Sequence, residues 1–101
     1  MPEMGFESDS DAMLFEETRH EGILLKRIGK LKTTGTTVQE SRYDERQRQI
    51  ENIFFDDRGQ FTKRVVYEYD EERRPRLTTV FDKSGNVIMR HERGKTPEFF
   101  Q

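Results

Sequence analysis

No cysteine and no tryptophan occur in the 101 residues, and there are only two histidines and three prolines. Without thiols there can be no disulfide staple, no thiolate nucleophile and no cysteine-based zinc site. His20 and His91 stand apart, with no second ligand at a spacing suited to a metal. Long hydrophobic runs are missing too. Nothing approaches the ~18–20 apolar residues of a membrane span, and no apolar signal region follows Met1. The expectation is a cytoplasmic chain that does not insert into membranes. Apolar residues are scarce overall, at 31% against 38% charged, where ~45–50% and ~25% are usual. Leu, Ile, Val and Phe together number 23, just above the ~20% level below which charged chains stay disordered. The net charge of −2 lacks the imbalance that disorder also needs. One small folded domain is what these bounds leave.

The charges that are present are unevenly placed. Residues 1–17 carry six acids and no base, whereas residues 18–32 carry five bases and one acid. The acidic leader, residues 1–12 in particular, can fold back on the basic stretch or dock on a basic partner.

The second half of the chain repeats. Tyr43-Asp44, Phe55-Asp56, Tyr69-Asp70 and Phe81-Asp82 are spaced by 12, 14 and 12 residues. Each pair is followed by a polar stretch and then a new apolar run. In two copies a glycine (Gly59, Gly85) stands four residues past the aromatic, where a tight hairpin needs a positive φ. The Asp beside the aromatic suits an Asx turn, in which its carboxylate accepts backbone amides further round. Gln47 fills the glycine slot of the first copy, and Pro75 interrupts the third. Between turns, β-branched and aromatic residues alternate with polar ones. Phe61, Lys63, Val65, Tyr67 and Tyr69 would then share one face. Strands are expected near 36–43, 49–55, 60–69, 76–81 and 87–92, with earlier ones at 13–19 and 22–28 and breaks at Gly29 and Gly35. Ser8 or Ser10 could instead cap a short helix within 9–20. The fold predicted is all-β: an antiparallel meander of about five to seven strands, as an open single sheet or a small barrel. It occupies residues 13–93, with partly irregular tails on both sides, the C-terminal one, 94–101, being aromatic. Asp44 and Asp70 would lie along one edge of the turns, and Asp56 and Asp82 along the other.

Tyr67–Ile88 resembles the YD repeats of Rhs and teneurin-type proteins. Tyr69-Asp70, Arg76-Leu77 and Asp82 through Gly85-Asn86 fall in the matching order, and the likeness covers about residues 42–90. It implies the same strand–turn architecture. Two to three such units are too few to wind the closed shell that longer members build.

Catalytic chemistry finds no constellation here. No carboxylate sits in an apolar window that would raise its pKa for acid–base work. The Asp-rich loops carry Lys or Arg, and glycine arrives too early for a calcium loop. No phosphate loop, nucleophile elbow or dinucleotide fingerprint occurs. The expectation is no enzyme and no cofactor. Arg42, Arg64, Arg76 and Arg90 lie in predicted strands beside aromatics, where they could stack on bases or pair with carboxylates. Thirteen acids from Thr33 onward and a pI of 5.7 favour pairing and argue against nucleic acid as partner.

Twenty-three large apolar residues can line one face of a meander but hardly two packed layers. The exposed remainder would meet a second copy or another protein, with Phe6, Phe15, Phe99 and Phe100 as anchors, or else would cap the chain's own core. The sequence thus reads as a non-catalytic protein-interaction module, a small accessory subunit or assembly factor. The alternative is an immunity-type protein that inhibits a toxin or enzyme. Single-stranded nucleic-acid binding and carbohydrate-active chemistry rank below both.

Overall fold

The computed structural model describes residues 13–71 and 75–100. Eight strands follow one another: β1 (Met13–His20), β2 (Ile23–Leu31), β3 (Thr37–Tyr43), β4 (Gln49–Phe55), β5 (Phe61–Tyr69), β6 (Pro75–Phe81), β7 (Val87–Glu92) and β8 (Glu98–Phe99). They make a single antiparallel sheet in chain order, from β1 to β8. Among the described residues β1 and β8 are its open edges, so the meander is a sheet and not a barrel. Among the described residues no helix is long and apolar enough to cross a membrane. Residues 13–20 form a strand, and the expected acidic leader at 1–12 lies outside the described residues.

In the partly irregular tail at 94–101, Phe99 and Glu98 pair with Met89 and Arg90 and add an eighth strand, one more than the five to seven expected. One expectation needs correction. Gly29 does not break β2 but lies buried within it. The reason is close approach: a Cβ there would meet the Met13 Cε at 2.7 Å and the Phe15 ring at 3.2 Å. Glycine lets two side chains of the edge strand fold down onto the backbone.

Register carries two rows across the sheet. One runs Glu17–Arg27–Ser41–Asn52–Val65–Val80–Met89–Phe99, one residue from every strand. These residues share the first face. On the second face, Glu16–Ile28–Glu40–Ile53–Arg64–Phe81 alternates charged and apolar side chains, and Val87 follows Phe81 as a second apolar residue. A register shift follows each repeated turn. Phe54 faces Lys63 while Phe55 faces Phe61, so Thr62 is an extra residue and Phe61 lies on the face opposite Lys63. That bulge overturns the simple alternation expected from Phe61 to Tyr69.

Among the described residues neither face has a second layer. Among the described residues the one buried hydrophobic side chain is Val65, 9% exposed, and no side chain is fully enclosed. The other buried positions are the polar Ser41, Asn52 and Thr79 and the glycine at 29. Small side chains in mid-sheet are covered by their taller strand neighbours.

Candidate interaction surface

The Asp turns share one geometry. Asp56 Oδ1 accepts the amides of Arg58 and Gln60 at 2.9 Å each, and Asp82 Oδ1 those of Ser84 and Asn86 at 2.9 Å each. In each loop the glycine amide closes on the Asp carbonyl, with φ of 82° at Gly59 and 89° at Gly85. The same bonds recur at Asp44, which accepts the Arg46 and Arg48 amides at 2.9 and 3.0 Å. Donated amides hold the Asp56 and Asp82 carboxyls below the usual carboxylate range, chiefly those of Gln60 and Asn86. At Asp44 desolvation works the other way. The Arg48 amide and side chain and the Arg46 amide outweigh it, so this carboxyl too titrates low. The Asp residues are turn anchors.

Gln47 holds the glycine position of its turn at φ 65°. Its side-chain amide takes the backbone of Leu24 from both sides. Nε2 donates to the Leu24 carbonyl at 3.0 Å and Oε1 accepts the Leu24 amide at 3.1 Å. The side chain thereby continues the ladder of β2 where β3 has turned away. Strain at one residue is offset by a clamp between two hairpins.

Asp44 and Asp70 do meet at one edge, around an open hollow of about 580 Å³ that Arg48 and Tyr69 also line. Both Asp residues are engaged within the chain: Arg48 pairs with Asp44 at 2.7 Å and Arg93 with Asp70 at 2.6 Å. Tyr69 lies under the Arg48 guanidinium at 4.9 Å and donates its hydroxyl to the Gln49 carbonyl at 2.5 Å. Desolvation first, then Tyr67 and Asp44, push the Tyr69 hydroxyl above its ordinary value.

Arg42 and Arg64 on the second face pair with acids. Glu51 is shared by Arg42 at 3.6 Å and Arg64, and Arg42 also reaches Glu40 at 2.8 Å. Arg64 stands over the Phe81 ring at 5.2 Å.

The first face is polar from β1 to β4. Asn52 Oδ1 accepts from Ser41 Oγ at 2.6 Å, from Gln49 Nε2 at 3.1 Å and from Gln39 Nε2 at 3.5 Å, while its Nδ2 donates to the Tyr67 hydroxyl at 3.4 Å. Beside this network, Arg27 packs its guanidinium over the Phe15 ring at 4.1 Å. From β5 to β8 the same row is apolar.

The aromatic anchors fall at the two ends of the sheet. Phe15 (39% exposed) is on β1, and Phe99 (78% exposed) and Phe100 (42% exposed) are at β8. Phe15 and Phe99 share the first face but are separated by the full width of the sheet. Phe6 lies outside the described residues. Leu14, Ile23 and Leu25 are also exposed, beside Phe15 on the β1–β2 hairpin. Leu14 belongs to the apolar stretch before Phe15 that the sequence offers as a covering segment, whereas Ile23 and Leu25 were not singled out, although GILLKRI carries more apolar residues than a half-buried strand can cover. Among the described residues no cluster of His, Asp and Glu is arranged to hold a metal ion. No protein-family model matches the chain, and a search of curated proteins returns no match.

Proposed function

We propose that this chain is a non-catalytic protein-interaction module, an accessory subunit whose open sheet is completed by another protein. The observation that carries this reading is the missing second layer, with Val65 alone among the described hydrophobic side chains reaching burial at 9% exposure. A sheet of eight strands gains its usual apolar burial only when one face is covered. The exposed apolar side chains gather where a partner can reach them, on the β1–β2 hairpin and on the short β8 strand. Aromatic side chains so placed are typical interface anchors. The resemblance to YD repeats fits this reading, since such repeats serve as structural surface.

Purification of a tagged chain from its native source after mild crosslinking tests it. A stoichiometric partner should appear with the wild type and be lost with Phe15→Ser or with Phe99→Ser/Phe100→Ser. A monomer that captures nothing in stoichiometric amount, or capture indifferent to both variants, overturns the reading. So does self-association in place of a foreign partner, which light scattering would show.

A further inference from the structure

The network around Asn52 borders a small hollow on the first face, about 90 Å³ in volume. Arg27, Gln39, Ser41, Tyr43 and Gln49 line it, with the Phe15 ring as one wall and no acid among its lining residues. That is unusual in a chain with 20 acids.

Arg27 is its centre. Its Nε is buried and has no hydrogen-bond partner, the one such side-chain atom among the described residues. The acid directly opposite in register is Glu17, but the Glu17 carboxylate is taken by Arg19 at 2.9 Å. The Tyr43 side chain also lines the hollow. Gln39 Nε2 reaches Ser41 and Asn52 only at 3.5 Å each, so it can swing toward a better acceptor. Three donor groups thus line one hollow, and the Asn52 Oδ1 beside it is already engaged by Ser41, Gln49 and Gln39. A half-buried guanidinium whose Nε is unpaired is suited to accept a planar anion through two parallel N–H bonds.

We propose that this hollow is a carboxylate-binding site: Arg27 takes the carboxylate, with Tyr43 and Gln39 as added donors and Phe15 as an apolar wall. One guanidinium matches one negative charge, and the volume admits a carboxylate head rather than a whole ligand. The group could be a free small carboxylate or a carboxylate on a polypeptide, including the chain's own Glu3, Glu7, Asp9 or Asp11. The hollow shares Phe15 with the docking edge, but its donors Arg27 and Gln39 play no part in the docking reading, so their variants test it separately.

Nuclear magnetic resonance of the full chain at pH 6.5 tests it, reading the Arg27 Nε–Hε and the Gln39 and Gln49 side-chain amides. The probes are sodium acetate, inorganic phosphate and, at matched ionic strength, sodium chloride. Acetate should shift these resonances saturably and chloride should not. Arg27→Lys, which keeps the charge but not the fork, should weaken acetate at least fivefold while leaving the backbone spectrum in place. Gln39→Leu should weaken it less.

A second chain, with Glu3, Glu7, Asp9 and Asp11 changed to Gln, separates the sources. Tighter acetate binding there identifies an internal carboxylate as the resident group, and unchanged binding identifies an external one. No saturable shift in either chain, an equal response to chloride, or tighter binding of phosphate than acetate would overturn the proposal.

Discussion

One row of residues crosses all eight strands on the same face, yet its two halves are built differently. From β1 to β4 it reads Glu17, Arg27, Ser41, Asn52, and from β5 to β8 Val65, Val80, Met89, Phe99. The polar half is held by directional bonds that meet on Asn52 and by the Gln47 clamp on Leu24. The apolar half relies on side-chain packing and on glycine turns that need no help. Backbone geometry is common to both. What differs is tolerance: a hydrogen-bond network fails when one member is removed, whereas packing declines in proportion to the area lost.

The sharpest way to break the comparison is at Asn52, 7% exposed. Asn52→Ala strands Ser41 and Gln49 without their acceptor and should cost about 3 kcal/mol in urea denaturation. Ser41→Ala/Asn52→Leu removes both partners of the shortest bond and should cost less than the single change. If the double variant is the less stable, the polar half is not held in the way described.

The turns give a smaller effect. Gly59→Ala and Gly85→Ala force a Cβ into the left-handed region and should each cost about 1–2 kcal/mol. Gln47→Gly relieves strain but releases Leu24, so its midpoint should move far less than that of Gln47→Ala, which keeps the strain and loses the clamp.

Acid is the gentlest probe. Asp44, Asp56 and Asp82 have folded-state pKa values below their ordinary value of 3.8. Their contribution is therefore complete above the unfolded pKa and is lost as pH falls through the lower, folded values. Denaturation midpoints should hold from pH 7 to about 5 and decline below 4. Asp56→Asn and Asp82→Asn should flatten that decline, while Asp44, which also holds the Arg48 side chain at 2.7 Å, should additionally respond to salt.

Much of the strand plan was legible because it rests on neighbours in sequence. An aromatic–Asp pair with glycine four residues on is a local instruction, and the bonds at Asp56 and Asp82 follow from it. Gln47 was recognisable as a substitute for glycine, but not as a clamp, since Leu24 is 23 residues away. Gly29 misled because glycine in an apolar run can equally break a strand or make room for a neighbour, and only Phe15 and Met13 on the adjoining strand decide. Bulges hid the faces. A single extra residue such as Thr62 inverts everything beyond it, so the continuous row and the hollow at Arg27 could not be assembled from alternation alone. Phe15, Phe99 and Phe100 were visible as surplus aromatics, while their separation by the width of the sheet depends on strand order.

Every substantial contact between strands joins neighbours in the chain. The protein is consequently close to a one-dimensional material, more like a zipper than a droplet. Its stability is the sum of hairpins and the seams between them, and no central mass makes all parts stand or fall together. Opening begins at the β1 and β8 edges and moves inward toward Ser41, Asn52 and Val65. A partner that grips an edge would therefore do more than hide an apolar surface. It would stop the zipper at its end and make the whole sheet behave as one cooperative unit.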